Sequence, residues 1–378
     1  MPGIATQRFT VLDSFRGLAA MAIVFCHLPI LLVSSSAEVF RSSQLFVQFF
    51  FVLSGFVLLH AYGNRLTHAA ALRDLMINRT LRLYPLHLCM FALLLLLQYG
   101  KLLSAHYGLG LDHAAFSGPT ALREIFPNLL LLQAWLPGAD SLSFNAPAWS
   151  ISIGFYLCLV FGALLILLPR RAGMGFLILA VLSCVGLSMQ VQGLKPEILQ
   201  GASGFFAGAL LYRLYAHLRS LPLSRRQFTL LEITVLLLLA LVLDSDYRHR
   251  DLLAGLLFLL TVFIFAFQGG VASQLLKARW LQALGLWSFS IYMTHFAVLL
   301  ILQNLLVQAE PLSNVIRAIG TRQTLPDILL ASAGLLTIIL VAAITYRYIE
   351  LPGIALGKRL LGRSSQLRFD EKPQGSSG

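Results

Sequence analysis

The first apolar stretch of the chain carries an arginine and a histidine at a spacing that suits chemistry within a membrane. Residues 12–34 form an apolar run, long enough to cross a bilayer at about 20 residues, that contains Arg16 and His27. Eleven residues at about 100° each return to within roughly 20° of the same helix face, about 16 Å further along the axis. One helix stripe therefore carries a guanidinium near a membrane surface and an imidazole near the middle. Asp13 lies one turn before Arg16 and can pair with it.

An imidazole and a guanidinium held in this way suit acid–base chemistry on a charged substrate. Imidazole takes and returns protons near neutral pH, or accepts an acyl group transiently. A guanidinium stays charged when desolvated and can clamp a phosphate or a carbonyl oxygen. Ionisable groups at membrane depth are costly and often functional. The alternative is that Asp13 and Arg16 anchor the helix at the interface and that His27 hydrogen-bonds a neighbouring helix.

The composition of the whole chain indicates a polytopic membrane protein. Of its 378 residues, 58% are hydrophobic and 12% are charged, whereas soluble domains carry about 25% charged residues. The net charge of +12 is therefore interpreted as an orientation signal and not as a nucleic-acid surface. The four cysteines lie in apolar runs without metal-ligand spacing, so we expect packing roles for them and no metal site.

The apolar runs predict an all-α fold of about ten transmembrane helices. These helices are expected at residues 12–34, 44–61, 83–100, 148–168, 173–191, 196–216, 227–243, 251–268, 281–307 and 326–349. The longest connection, 101–147, contains an apolar segment at 121–136 that Pro127 interrupts, which predicts a re-entrant or interfacial piece. We interpret residues 1–363 as one transmembrane domain and the polar residues 364–378 as a disordered tail.

The distribution of basic residues predicts that both termini lie in the cytoplasm. With the N-terminus inside, 20 of the 28 Lys and Arg residues fall in inner segments, as the positive-inside rule requires. This orientation places Arg16 at the cytoplasmic end of the first helix and His27 near mid-membrane. It also places Arg79 and Arg82 at the cytoplasmic start of the third span, where they present a positive field to an anionic ligand.

Five stretches go beyond the general pattern of a membrane protein. They are LDSFRGLAA at 12–20 with His27 after it, FFVLSGF at 50–56, RTLRLYP at 79–85, NAPAWSIS at 145–152 and SFSIYMTH at 288–295. In this order and at this spacing they resemble the acyltransferase-3 family of integral membrane O-acyltransferases. The arginine and histidine eleven residues apart are that family's signature. The resemblance extends from about Leu12 to Pro352.

The resemblance implies an enzyme that moves an acyl group, commonly acetyl from acetyl-CoA, to a hydroxyl of a sugar. In that family the residues that match Arg16 and His27 are regarded as essential. We therefore expect a multi-pass protein of a bacterial cytoplasmic (inner) membrane. Its partners would be the bilayer, an acyl-CoA co-substrate and a saccharide or lipid-linked saccharide, such as a surface or exopolysaccharide precursor. No tightly bound cofactor is expected.

The expected donor site lies on the first three helices. Arg16, Arg79 and Arg82 would hold the phosphates or the carbonyl of acyl-CoA. Ser54 and Gly55, midway along the second helix, would permit close approach of backbone or ligand. Helix packing through these two small residues is an equally good interpretation.

The expected acceptor site lies where the fourth predicted helix begins. Asn145, Trp149, Ser150 and Ser152 offer an amide, an indole and two hydroxyls to a sugar. His295 either lines the same cavity or has a structural role. Tyr292, one turn earlier on the same helix, is expected to support His295.

The chain departs from the family's pattern after Ser152. Many members have a glutamate two residues later, where this chain has Gly154. A carboxylate there would orient the histidine or bind acceptor hydroxyls. Because this carboxylate is missing, one alternative is that the chain is a non-catalytic member of the fold. A second alternative is a membrane transporter or proton relay. Glu350, near the end of the resemblance, matches a common terminus of the family, and a salt bridge with Arg347 would explain it without catalysis.

Overall fold

The computed structural model describes residues 8–28, 37–107, 114–245, 247, 250–308 and 325–370, and these residues are helical or irregular, with no β-strand among them. The helices are α1 Thr10–His27, α2 Ala37–Tyr62, α3 Ala69–His106, α4 Ile125–Leu129, α5 Ala148–Leu167, α6 Ala172–Ser188, α7 Pro196–Leu218, α8 Arg225–Leu243, α9 Arg250–Ala266, α10 Val271–Leu275, α11 Arg279–Gln308, α12 Leu325–Thr345 and α13 Leu351–Asp370.

A helix lies in each of the ten predicted spans, so the all-α fold is confirmed; residues 29–34 of the first span lie outside the described residues. Within the described residues, seven helices are both long and apolar enough to cross a membrane. The protein is therefore a multi-pass membrane protein. Helix α6 is apolar but has 17 residues, fewer than the roughly 20 that span a bilayer. The count of ten spans and the cytoplasmic termini stay predictions.

Helix α3 is much longer than its predicted span, because Pro85 does not end it. Proline has no N–H, so the Leu81 carbonyl four residues earlier loses its intrahelical donor. Helix α13 packs on α3 at this point, where a Cβ added to Gly353 would lie 2.2 Å from the Leu81 oxygen. Helix α13 continues to Asp370, and the division of the chain at residue 363 stays a prediction. Residues 371–378 lie outside the described residues.

Helices α1 and α11 pack closely and run in the same direction. A Cβ added to Gly17 would lie 2.7 Å from the Gly285 nitrogen, so the two backbones are in contact there. Ten residues further along each helix, the rings of His27 and His295 are 5.0 Å apart. Because both contacts are separated by the same ten residues in the same chain direction on each helix, α1 and α11 must be parallel. The glycine contact thus sets the distance between the two histidines.

A second close contact joins α2 to α7. A Cβ at Gly55 would lie 1.8 Å from the Phe205 oxygen, and a Cβ at Gly208 would lie 2.0 Å from the Val52 oxygen. Small residues allow such backbone approach in membranes. This geometry supports the packing interpretation of Gly55. A donor-binding role for Ser54 and Gly55 stays a prediction.

We expect Gly55→Ala to destabilise the protein, because its methyl group has no room against the Phe205 carbonyl. Overpacking of this kind costs about 1–3 kcal/mol, which thermal unfolding in detergent would show as a lower midpoint. The matched control is Gly100→Ala in α3, where an added Cβ meets nothing within 4 Å. An equal midpoint for the two variants would contradict the close crossing of α2 and α7.

The connection between α3 and α5 folds back against the helices. In its α4 segment, the Asn128 carbonyl accepts a hydrogen bond of 2.8 Å from Nε2 of the buried His87. His87 lies 19 residues before the end of α3, which is about 28 Å along the helix axis. The position of Asn128 supports the re-entrant interpretation of residues 121–136.

Candidate functional site

Two buried histidines meet between α1 and α11. Their ring centroids are 5.0 Å apart, and the exposed fractions of His27 and His295 are 5% and 0%. The Nδ1 of His27 lies 2.8 Å from the Ile23 carbonyl oxygen, a contact that requires a proton on Nδ1. In the neutral ring the lone pair is then on Nε2. This arrangement suits His27 to accept a proton through Nε2.

His295 is held by its own helix in the same way. Its Nδ1 lies 2.7 Å from the Tyr292 carbonyl oxygen. Its Nε2 is buried and has no hydrogen-bond partner among the described residues. A buried polar atom without a partner is costly, so this nitrogen is available to a water molecule or a ligand.

The start of α5 is tied to α11 beside the histidines. The Ser150 and Tyr292 hydroxyls are 2.8 Å apart, and the Tyr292 hydroxyl donates to the Pro147 carbonyl at 3.0 Å. The Asn145 amide donates to the Met293 carbonyl at 3.0 Å, and its Oδ1 has no partner among the described groups. The structure thus brings Asn145 and Ser150 to α11, the helix that carries Tyr292 and His295.

The other two predicted acceptor residues have structural partners. The buried Ser152 hydroxyl donates to the Leu131 carbonyl, and the Trp135 indole donates to the Ser152 carbonyl at 3.2 Å. Trp149 is buried, with its ring 6.1 Å from that of Phe51. The two Ser152 contacts fasten residues 121–136 to α5, and Trp149 packs α5 against α2. Acceptor binding by Trp149 and Ser152 stays a prediction.

A cluster of charged side chains gathers at the other end of the α1 stripe. Arg16 lies within electrostatic range of Arg82, Glu350 and Arg79. Its Nη1 is 4.0 Å from Asp13 Oδ1, whereas the other Asp13 oxygen is 3.0 Å from Arg8 Nε. The predicted pairing of Asp13 with Arg16 therefore exists but is long. We call Arg16, Arg79 and Arg82 the arginine cluster.

Glu350 is the carboxylate that the arginine cluster faces. It is 1% exposed, its Oε1 lies 3.6 Å from Arg82 Nε, and its Oε2 accepts a 3.0 Å hydrogen bond from Ser290. The expected salt bridge to Arg347 is wrong. The chain forms a π-helical turn over Tyr346–Glu350, which turns the Glu350 side chain inward.

Sequence reasoning missed the roles of Glu350 and Ser290. Ser290 lies in the stretch SFSIYMTH at 288–295, and Glu350 lies near the end of the resemblance. The excess of arginines near the predicted inner surface is explained by the positive-inside rule and gave no signal of a buried carboxylate. Local spacing could only pair Glu350 with a neighbour in its own helix.

Gly154 faces Arg79. A Cβ added at Gly154 would lie 3.9 Å from Arg79 Nη2 and 3.9 Å from Phe51 Cε1, both ordinary contact distances. The Nε atom of Arg79 is buried without a hydrogen-bond partner among the described residues. A carboxylate at position 154 would therefore meet the arginine cluster first. We expected it to orient a histidine or bind acceptor hydroxyls.

Lys195, outside the membrane spans, anchors the re-entrant segment. Its ammonium donates to the Gln133 and Ala139 carbonyls, each at 2.8 Å, and to the Ser141 hydroxyl at 3.1 Å. Burial lowers the pKa of this ammonium, and the carboxylates of Glu197, Asp140 and Glu124 oppose that shift. All three of its N–H donors are satisfied, so Lys195 acts as a clamp.

We expect Lys195→Met to loosen residues 114–147. The variant loses hydrogen bonds from a charged donor, each of which contributes about 1.5–3 kcal/mol. Limited proteolysis in detergent should cut this segment faster, while cleavage elsewhere is unchanged. Lys277→Met is the control, because it removes the same charge from a residue that forms no salt bridge with a described side chain. Equal proteolysis of both variants would contradict the clamp.

A protein-family model matches nearly the whole chain, whereas individual relatives match parts of it. A family model described as an acyltransferase domain, acyltransferase 3, matches residues 9–347. "Protein 2 in picA locus" from Rhizobium radiobacter is 42% identical over 89 residues, 23% of this chain and 44% of that protein. "Acyltransferase MdmB" from Streptomyces mycarofaciens is 28% identical over 162 residues, 41% of this chain and 38% of that protein. The matches thus span less than half the length of these relatives. No solved structure matches.

Proposed function

This chain belongs to the acyltransferase-3 family, and on that premise we propose that it is an O-acyltransferase of a bacterial inner membrane. Its donor would be an acyl-CoA, with acetyl as the expected acyl group. Its acceptor would be a hydroxyl of a saccharide or lipid-linked saccharide, such as a surface polysaccharide precursor. The observation that carries the proposal is that one helix, α1, holds both a member of the arginine cluster and a buried histidine with its lone pair on Nε2.

The chemistry assigns one proton transfer to His27. The acceptor oxygen attacks the thioester carbonyl, its proton passes to Nε2 of His27, and the C–S bond breaks. The departing thiolate then takes that proton from His27, which returns the ring to its neutral form. In the covalent variant, His27 Nε2 attacks the thioester carbonyl and the C–S bond breaks; the acceptor oxygen then attacks the acylated ring, the C–N bond breaks, and the acceptor's proton passes to the thiolate. In both routes the hydrogen bond to the Ile23 carbonyl keeps the proton on Nδ1, so that Nε2 is the reacting atom.

The charge of the arginine cluster supports an anionic donor. Its three guanidinium groups face two carboxylates, Asp13 and Glu350, which leaves an excess positive charge. Arginine binds phosphate oxygens in a bidentate manner. The nucleotide phosphates would bind there, and the acyl arm would extend the roughly 16 Å along α1 to His27.

The acceptor is proposed to bind where α5 meets α11. Asn145 Oδ1 and His295 Nε2 are buried polar atoms without described partners, and the Ser150 and Tyr292 hydroxyls lie beside them. A sugar offers hydroxyl groups that donate to such acceptors. His295 and Tyr292 would then position the acceptor against His27.

The test is transfer of label from radiolabelled acetyl-CoA, supplied to membrane vesicles on their cytoplasmic face. We expect incorporation by the unaltered chain and its loss in Arg16→Ala. The matched control is Arg73→Ala, because Arg73 is exposed and pairs only with its neighbour Asp74 among the described residues. Tight CoA binding without incorporation would favour the non-catalytic alternative. Absence of CoA binding would favour a transporter or proton relay.

A further inference from the structure

A recess outside the arginine cluster lies along α13 and the π-helical turn before it. Its volume is about 400 Å³. The residues that line it are Arg347, Leu351, Pro352, Ala355, Leu356 and Arg359. Two basic side chains thus border a wall that is otherwise apolar.

The two arginines of this recess have no carboxylate partner among the described residues. Neither Arg347 nor Arg359 forms a salt bridge with a side chain that the structure describes. Glu350, the nearest carboxylate along the chain, points away toward Arg82 and Ser290. The Arg347 guanidinium lies 6.0 Å from the Tyr348 ring centre. The recess therefore carries about two uncompensated positive charges, which suits an anion.

The surface around the recess is apolar and exposed. Leu351, Leu356 and Leu360 on α13 and Tyr348 before it are all exposed hydrophobic side chains. Gly353 and Gly357 hold the opposite face of α13 against α3. A helix with basic and apolar residues on its outward side is typical of the membrane interface. A soluble anion would fill the charged part and leave the leucines uncovered.

We propose that this recess binds the phosphate headgroup of an anionic phospholipid, whose acyl chains lie along the exposed leucines of α13. Arg347 and Arg359 hold the phosphate from two sides. Arg347 belongs to the same π-helical turn as Glu350, so the bound lipid also steadies the turn that presents Glu350 to Arg82. This second consequence rests on the proposed function, whereas lipid binding does not.

The test is retention of phosphatidylglycerol by the detergent-purified full chain, measured by native mass spectrometry. We expect the combined Arg347→Gln and Arg359→Gln variant to retain less of this lipid, by about fivefold for each arginine removed. Lys358→Gln is the matched control, because Lys358 is an exposed basic residue of the same helix outside the recess. We expect it to retain phosphatidylglycerol as the unaltered chain does.

Three outcomes would overturn the proposal. Equal loss in Lys358→Gln would indicate diffuse surface charge. Equal retention of phosphatidylcholine would remove the requirement for net negative charge. Displacement of phosphatidylglycerol by excess inorganic phosphate would indicate a soluble anion as the occupant. None of these measurements requires an acyl donor, so failure of the proposed function would be seen separately, in the transfer assay.

Discussion

Replacing His27 by alanine should lower kcat for acyl transfer by about 10³-fold, the middle of the range for loss of a general base. The reason is that no other described side chain presents an imidazole in the same place. His295 lies 5.0 Å away, but its ring belongs to α11, whereas Arg16 and His27 share α1. Donor KM should change little, because the arginine cluster lies about 16 Å away along α1.

The measurement is steady-state transfer from labelled acetyl-CoA in membranes, with thermal unfolding as a check on folding. His60→Ala is the matched control, since His60 lies on α2 and contacts the Tyr212 hydroxyl at 3.0 Å. His295→Asn should have an intermediate effect, because it would alter acceptor position without removing the base. Activity of His27→Ala within tenfold of the unaltered chain would refute the assignment of His27.

Introducing a glutamate at Gly154 should weaken donor binding, with a rise in donor KM of about ten- to a hundredfold. The added Cβ fits, because its nearest neighbours, Arg79 Nη2 and Phe51 Cε1, are each 3.9 Å away. The new carboxylate would then pair with Arg79 and remove one guanidinium from the arginine cluster. A hydrogen bond to a charged group contributes about 1.5–3 kcal/mol, which sets the expected change in KM.

Gly154→Gln separates charge from size, because it has the same length without the negative charge. We expect Gly154→Gln to keep a donor KM closer to that of the unaltered chain. The opposite result, in which Gly154→Glu gains activity, would show that the chain needs a carboxylate it lacks. That result would support the non-catalytic alternative. Donor titrations with each purified variant would distinguish weakened donor binding from a gain of activity.

Helix positions and the family were predictable because they depend on local pattern. Apolar runs of about 20 residues identify spans without knowledge of their neighbours. The eleven-residue step from Arg16 to His27 follows from helix geometry alone. The five motifs of the chain were enough to name the family that the comparison then showed.

Local pattern was misleading where a residue's partner lies on another helix. Glu350 was paired with Arg347 from spacing within one helix, but a π-helical turn directs it to Arg82, 268 positions earlier in the chain. The position of Gly154 was expected to serve a histidine or the acceptor, but α3 places Arg79 against it. In both cases, helix packing selects the neighbour, and packing depends on the shapes of whole helices.

The sequence by itself determined which chemical groups the membrane domain contains: an arginine and a histidine on one stripe of α1, further arginines on α3 and a histidine on α11. Only the tertiary structure decided which of them meet. Close backbone contact at Gly17 and Gly285 sets α1 and α11 parallel and brings His27 to His295. Contacts between residues so far apart in sequence arise from close packing of complete helices, which no local spacing encodes.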